Sequence, residues 1–295
     1  MRACVLALLL IVAGSATAND LATTTLIGGG GLEIVATANA RTTGPSIVFV
    51  HGLLASTLNW ERQFSSELAD EFNLVAVDMR GHGASAKPTD RDNYLATTLW
   101  ADDVKAAIDH SDSDKVVLVT WSYGSYFVMD YIRHYGTDRV AGIVLISTSA
   151  GFVPPVERED TPQRRAQIAR SNSANADTLL AWTNSYLDLV LAGAQVSEAD
   201  RQRWLVSAMM VPHYVRALIR EHRTNNEDLI PAIDVPVLFI EGADNRFSKL
   251  DEITSVIDRL VSASVEVLPD AGGLSFWSAA SETNALIAKF VRQSQ

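Results

Sequence analysis

The sequence predicts an α/β protein: a mostly parallel, doubly wound sheet with an inserted helical cap. Three observations carry this. Short apolar, β-branched runs alternate with stretches of helical spacing, the pattern of strands joined by crossover helices. Runs such as Lys115–Val119 and Val140–Ile146 are apolar at almost every position rather than at alternate ones, which marks strands covered on both faces. A chain of 295 residues, 47% of them hydrophobic, suits one such domain with an insertion and a large core.

The first 18 residues stand apart. Met1-Arg2 gives a positive start, Ala3–Ala13 is an apolar run of 11 residues, and Ala16-Thr17-Ala18 supplies small residues. This reads as a secretory signal peptide cut after Ala18, and predicts a secreted or periplasmic protein. The run is too short to span a bilayer, and no later stretch is long and apolar enough. The only cysteine, Cys4, lies inside this segment, so the mature chain has no thiol chemistry. A net charge of −11 argues against nucleic acid as a partner.

From residue 19 the elements follow in order. Gly28-Gly29-Gly30-Gly31 reads as a tight hairpin turn before the strand Leu32–Val35; no Gly-Lys-Ser/Thr follows, as a phosphate-binding loop would need. Ser46–Val50 is a buried strand running into His51-Gly52-Leu53-Leu54. A helix runs from Trp60 to about Glu71, then the strand Asn73–Val77, then Asp78-Met79-Arg80-Gly81-His82-Gly83-Ala84-Ser85. Tyr94–His110 reads as one helix. The strand Lys115–Val119 turns sharply at Thr120-Trp121-Ser122-Tyr123-Gly124 into a helix ending at Gly136. A serine at such a turn, here with Thr120 and Gly124 two residues to either side, is raised above the sheet edge, with a helix N-terminus behind it.

After the strand Val140–Ile146 the pattern changes. Residues 151–229 show helical spacing and no strand-like run, and read as a helical cap. It divides the core into a first part, 19–150, and a second, 230–295. The second part holds the strand Val235–Ile240 with Glu241-Gly242-Ala243-Asp244, a helix Ile253–Val261, the strand Ser264–Leu268 and a closing helix Leu286–Val291. Phe152, Trp182, Trp204 and Trp277 are candidate linings of a substrate pocket. His51, Asp78, Ser122, Ser147 and Asp244 all fall just past predicted strand ends, where sheets of this kind bind ligands.

Four motifs, His51-Gly52, Asp78-x-Arg80-Gly81-His82-Gly83-x-Ser85, Trp121-Ser122-Tyr123-Gly124 and Gly242-Ala243-Asp244, in this order resemble the α/β-hydrolase family. The elbow looks most like the cofactor-free haloperoxidase and esterase branch. The resemblance implies Ser122 as nucleophile, Asp244 as the acid of a triad, and the backbone N–H groups of Leu53 and Tyr123 as an oxyanion hole. It assigns His51, His82, Asp78 and Arg80 structural roles. It implies no cofactor and no metal, and a small apolar ester or other small molecule as ligand.

The family order then demands a histidine after the last strand. The segment reads Ala271-Gly272-Gly273-Leu274, and Gly273 holds the histidine position; the six histidines are His51, His82, His110, His134, His213 and His222. A serine hydroxyl needs a positioned base to attack an ester. The sequence therefore predicts an esterase-type protein with an incomplete triad and weak or absent activity. Three readings stay open: a hydrolase whose base comes from elsewhere, with His213 and His222 of the cap as candidates; a non-catalytic small-ligand binder; and an inactivated variant of an active enzyme.

Overall fold

The computed structural model describes residues 21–295 apart from Thr42, residues 155–158, Gly193, Gln195, Arg223 and Phe247. The signal-peptide reading and Cys4 lie outside the described residues.

Among the described residues eight strands form one sheet: β1 Leu21–Ile27, β2 Glu33–Asn39, β3 Ser46–Val50, β4 Asn73–Asp78, β5 Val116–Trp121, β6 Val140–Ile146, β7 Val237–Gly242 and β8 Ala263–Leu268. Their spatial order is β1-β2-β4-β3-β5-β6-β7-β8. The β1–β2 and β2–β4 pairs are antiparallel; the other five are parallel. In β3, Val48 and Val50 face one apolar core while Ile47 and Phe49 face a second. That two-sided burial is why these strands read as continuous apolar runs.

Helices cover both faces. On one side lie α3 Asp92–Leu95, α4 Thr97–His110, α5 Gly124–Tyr135 and α10 Leu250–Ile257; on the other lie α1 Glu61–Phe64, α2 Glu67–Glu71, α11 Ser275–Ser278 and α12 Ala280–Gln293. Between β6 and β7 stand α6 Pro162–Ser171, α7 Ala176–Val190, α8 Glu198–Met209 and α9 His213–Ile219.

Several sequence expectations need correction. The Trp60–Glu71 helix is broken at Ser65-Ser66, because Ser66 Oγ accepts from Leu68 N–H and caps a new helix there. The Tyr94–His110 helix is interrupted at Ala96, which is extended (ψ 108°), while Trp100 Nε1 donates to the Tyr94 carbonyl. β1 was not expected. Its Thr-rich sequence is β-branched but polar, as befits a sheet edge.

The glycine hairpin is held from the core. Asp103, fully buried, accepts from Gly29 N–H at 2.9 Å and from Arg80 Nε at 2.7 Å; Arg80 Nη2 also donates to the carbonyls of Gly29 and Leu99. A Cβ on Gly28 would stand 2.2 Å from Asp103 Oδ1, so the turn admits no side chain there.

Candidate active site

The strand register assembles the site. Val50 lies beside Thr120, Trp121 beside Ile146, and Ile146 beside Ile240. The loops leaving β3, β5, β6 and β7 therefore emerge together. The backbone of this rim is strained in several of its loops. Among the described residues six non-glycine ones have φ in the left-handed region; Leu54, Ser122 (φ 50°), Ser147 (φ 53°), Ala150 and Asp270 follow β3, β5, β6 and β8, and Asp112 lies elsewhere. Such conformations cost about 1–3 kcal/mol each and cluster where function fixes the backbone.

Ser122 is anchored by its N–H, which donates to the Ile146 carbonyl at 2.9 Å. Its carbonyl accepts from Ser125 N–H and Ser125 Oγ. Ser125 Oγ in turn meets Thr148 Oγ1 at 2.9 Å, which ties the elbow to the loop after β6. The β3 loop is pressed against the elbow. A Cβ on Gly124 would lie 2.5 Å from the His51 carbonyl, and one on Gly52 would lie 2.6 Å from the Trp121 ring. Only glycine allows this approach, which carries Leu53 toward the start of α5. Among the described residues neither Leu53 N–H nor Tyr123 N–H has an acceptor. Two such donors beside a raised serine suit a developing oxyanion.

Ser122 lines a small cavity of about 20 Å³ together with Trp121, Ser147, Tyr186, Val190 and Gly273. That is room for about one water molecule. The structure thus brings the predicted nucleophile and the predicted histidine position to one wall-to-wall space. Gly273 is fixed there by its carbonyl, which accepts from Trp121 Nε1 at 2.7 Å. Asp244 belongs to the adjoining loop, where its N–H donates to the Ala271 carbonyl at 2.9 Å. Its carboxylate is exposed and, among the described residues, has no hydrogen-bond or ion-pair partner.

Among the described residues no imidazole contacts Ser122 in place of the missing one. His222 is buried, and its Nε2 donates to Asp130 Oδ2 at 2.6 Å while its Nδ1 lies 3.4 Å from Tyr123 Oη. His213 meets Tyr214 edge-on. Neither bonds to Ser122. The tyrosines beside Ser122 are no substitute, because burial raises the hydroxyl of Tyr186 to about 12 and that of Tyr123 further still. His51 and His82 are fully buried: Met79 N–H donates to His51 Nε2 at 3.0 Å, and His82 Nδ1 lies 3.1 Å from the Arg80 carbonyl. Asp78 accepts from Thr57 N–H and Ala84 N–H. Together with Arg80, these three residues hold the loops beneath the site.

The four expected pocket residues are not in the cavity wall. Phe152 is fully buried in the core. Trp204 meets Trp121 and Trp277 edge-on at 5.5 and 5.6 Å, so Trp204 and Trp277 pack behind the site. Trp182 stacks on Tyr186 at 5.4 Å, one ring removed from it. The wall residues are Tyr186 and Val190 of α7, with Trp121 and Ser147. Ser147 was legible as a polar residue past a strand end, and Tyr186 as the position four residues beyond Trp182 on the same helix face. Among the described residues no group of three or more His, Cys, Asp or Glu is placed to hold a metal ion. Nor is any helix among the described residues long and apolar enough to cross a membrane.

A sheet of this order with a strained serine elbow at its carboxyl rim defines an α/β-hydrolase-type protein. The family model described as alpha/beta hydrolase fold matches residues 45–280, and the chain belongs to that family. It is similar to the bifunctional esterase/perhydrolase of Acinetobacter calcoaceticus, 31% identical over 216 residues, covering 68% of this chain and 75% of that one. It is 29% identical over 243 residues to the non-heme haloperoxidase of Rhodococcus erythropolis, covering 77% and 84%. An esterase from Rhodococcus sp. ECU1013 superimposes with a TM-score of 0.81 at 21% identity, covering 92% of this chain and 99% of that one.

Proposed function

We propose that this chain is a secreted hydrolase of serine esterase type, built to act on small carboxylic esters and slowed by the absence of a histidine at Gly273. The observation that carries the reading is the shared cavity of Ser122 and Gly273, beside the acceptor-free N–H groups of Leu53 and Tyr123. Ser122 Oγ attacks the acyl carbonyl carbon, the two N–H groups hold the oxyanion, and the acyl-enzyme is released by water. The step that lacks a residue is proton removal from Ser122. Loss of the histidine in one serine protease costs about 10⁶ in turnover, while binding and the oxyanion hole retain roughly 10³ over water. Relatives named as an esterase/perhydrolase and a haloperoxidase support the ester class. The export reading rests on the N-terminal 18 residues of the sequence.

The test is aryl-ester turnover by the chain beginning at Asn19, beside Gly273→His and Ser122→Ala. Feeble turnover that Gly273→His raises at least about 10²-fold, and that Ser122→Ala abolishes in that background, supports the reading. No turnover in either of the first two proteins sinks it and favours a ligand-binding role, which a ligand-dependent rise in melting temperature would then report.

A further inference from the structure

We propose that β1 is a dimerisation edge. It pairs antiparallel with β1 of a second copy of this chain, Thr24 facing its own counterpart, and joins two eight-stranded sheets into one.

The edge is open and lacks the devices that close one. β1 pairs with β2 over all seven of its residues without a bulge. Among the described residues its main chain bonds to nothing else, so the N–H and C=O groups on its outer side have no protein partner. Edge strands are ordinarily blunted by charge, proline, a bulge or shortness. Leu21-Ala22-Thr23-Thr24-Thr25-Leu26-Ile27 carries neither charge nor proline. The opposite edge differs, since β8 sets the exposed Glu266 within its six residues.

The sequence of β1 is complementary to itself. About Thr24, an antiparallel copy places Leu21 opposite Ile27, Ala22 opposite Leu26 and Thr23 opposite Thr25. Every such pair is aliphatic with aliphatic or threonine with threonine, combinations that stabilise a sheet. A two-fold contact requires this match of a patch with itself, whereas an unrelated strand does not. That favours a second copy over a foreign peptide.

The faces agree as well. Leu21 and Ile27 are 52% and 66% exposed. They share a face with Thr23, and so with its β2 partner Thr37. On that face Leu21 and Thr37 line a groove of about 280 Å³ together with Leu58 and Phe64. Directly opposed residues share a face, so Ile27 of the second copy comes beside Leu21 at this groove, and symmetry repeats the contact. Roughly one main-chain hydrogen bond per paired residue adds to it. β1 runs parallel to β4, because both are antiparallel to β2. The carboxyl rims that carry Ser122 therefore open at opposite ends of the joined sheet.

The experiment is sedimentation velocity of the full chain over a range of concentrations, followed by cysteine cross-linking in a Cys4→Ser background, which leaves no other thiol. The expected result is a concentration-dependent species of twice the chain mass. Thr24→Lys sets a charge against its own copy, and Ile27→Lys sets one among aliphatic side chains. Each raises the dissociation constant at least about tenfold, because symmetry counts every change twice. The comparison is made at unchanged circular dichroism, so that loss of the dimer is not loss of the fold. Thr24→Cys cross-links to its own copy under mild oxidation, since opposed Cα atoms stand about 4.5–5.5 Å apart, within disulfide reach. Ile27→Cys does not, because its own copy lies six residues along the paired strands, about 20 Å away. A monomer at every concentration, a dimer that neither lysine weakens, or Ile27→Cys cross-linking as fast as Thr24→Cys overturns the proposal.

Discussion

Trp121 Nε1 donates to the Gly273 carbonyl at 2.7 Å. The residue before the nucleophile thus holds the loop in which a base would stand. Trp121→Phe keeps the ring packing but leaves that buried carbonyl unpaired, at a cost of about 1–3 kcal/mol. Urea unfolding measures this. In a Gly273→His background the same change lowers kcat for an aryl ester more than it raises KM, because it loosens the base rather than the substrate. Unchanged kcat would show that the bond positions nothing.

Arg80 and Asp103 form an ion pair with both side chains fully buried. Breaking such a pair from one side leaves an uncompensated charge, and Asp103→Ala is expected to cost about 3–5 kcal/mol. The glycine hairpin should loosen with it, since Gly29 N–H loses its acceptor. Hydrogen exchange in β1 and β2 that rises no more than in β8 would overturn the second half of this expectation.

Burial holds His51 and His82 below the ordinary histidine value of 6.5, and His82 well below it. A histidine whose folded value is depressed binds its proton more readily when unfolded. Its contribution to stability is complete above about pH 6.5 and is lost as pH falls toward the folded value, by up to about 1.4 kcal/mol per pH unit for each group. Unfolding free energies at pH 7.5, 6.5 and 5.5 (about one unit apart to follow that slope) should therefore fall, and His82→Gln should flatten the fall. An equal slope in both proteins would count against it.

His222 serves the fold in its contact with Asp130, so His222→Ala should cost about 3 kcal/mol or more by leaving a buried carboxylate alone. Fluorophosphonate labelling of Ser122 in the folded variant should change less than about twofold, far below the effect of losing a general base. A collapse of labelling would make His222 the base after all.

The sheet and the elbow were legible because both are local in sequence. A run such as Val116–Val119 is apolar throughout since it is buried on both faces, and the Ser122 turn announces itself by the small and strand residues around it. The edge strand β1 was hidden because one neighbour and an open edge impose little apolar pattern. The helix breaks at Ser66 and Ala96 depend on which local hydrogen bond wins over continued helix, and spacing does not record that. The cavity wall was the least legible part. Trp204 and Trp277 looked like pocket residues by size, but whether a tryptophan faces a cavity or backs it is decided by tertiary packing on Trp121. Gly273 was legible as an absence, and the structure gives it a location beside Ser122.

The left-handed residues around the rim also make the site a reservoir of backbone strain. Glycine adopts that backbone freely, so at Ser122 and Ser147 a change to glycine would relax the fold wherever the hydroxyl had no use. Serine to glycine at either position would therefore release strain and remove a hydroxyl from the rim in one step.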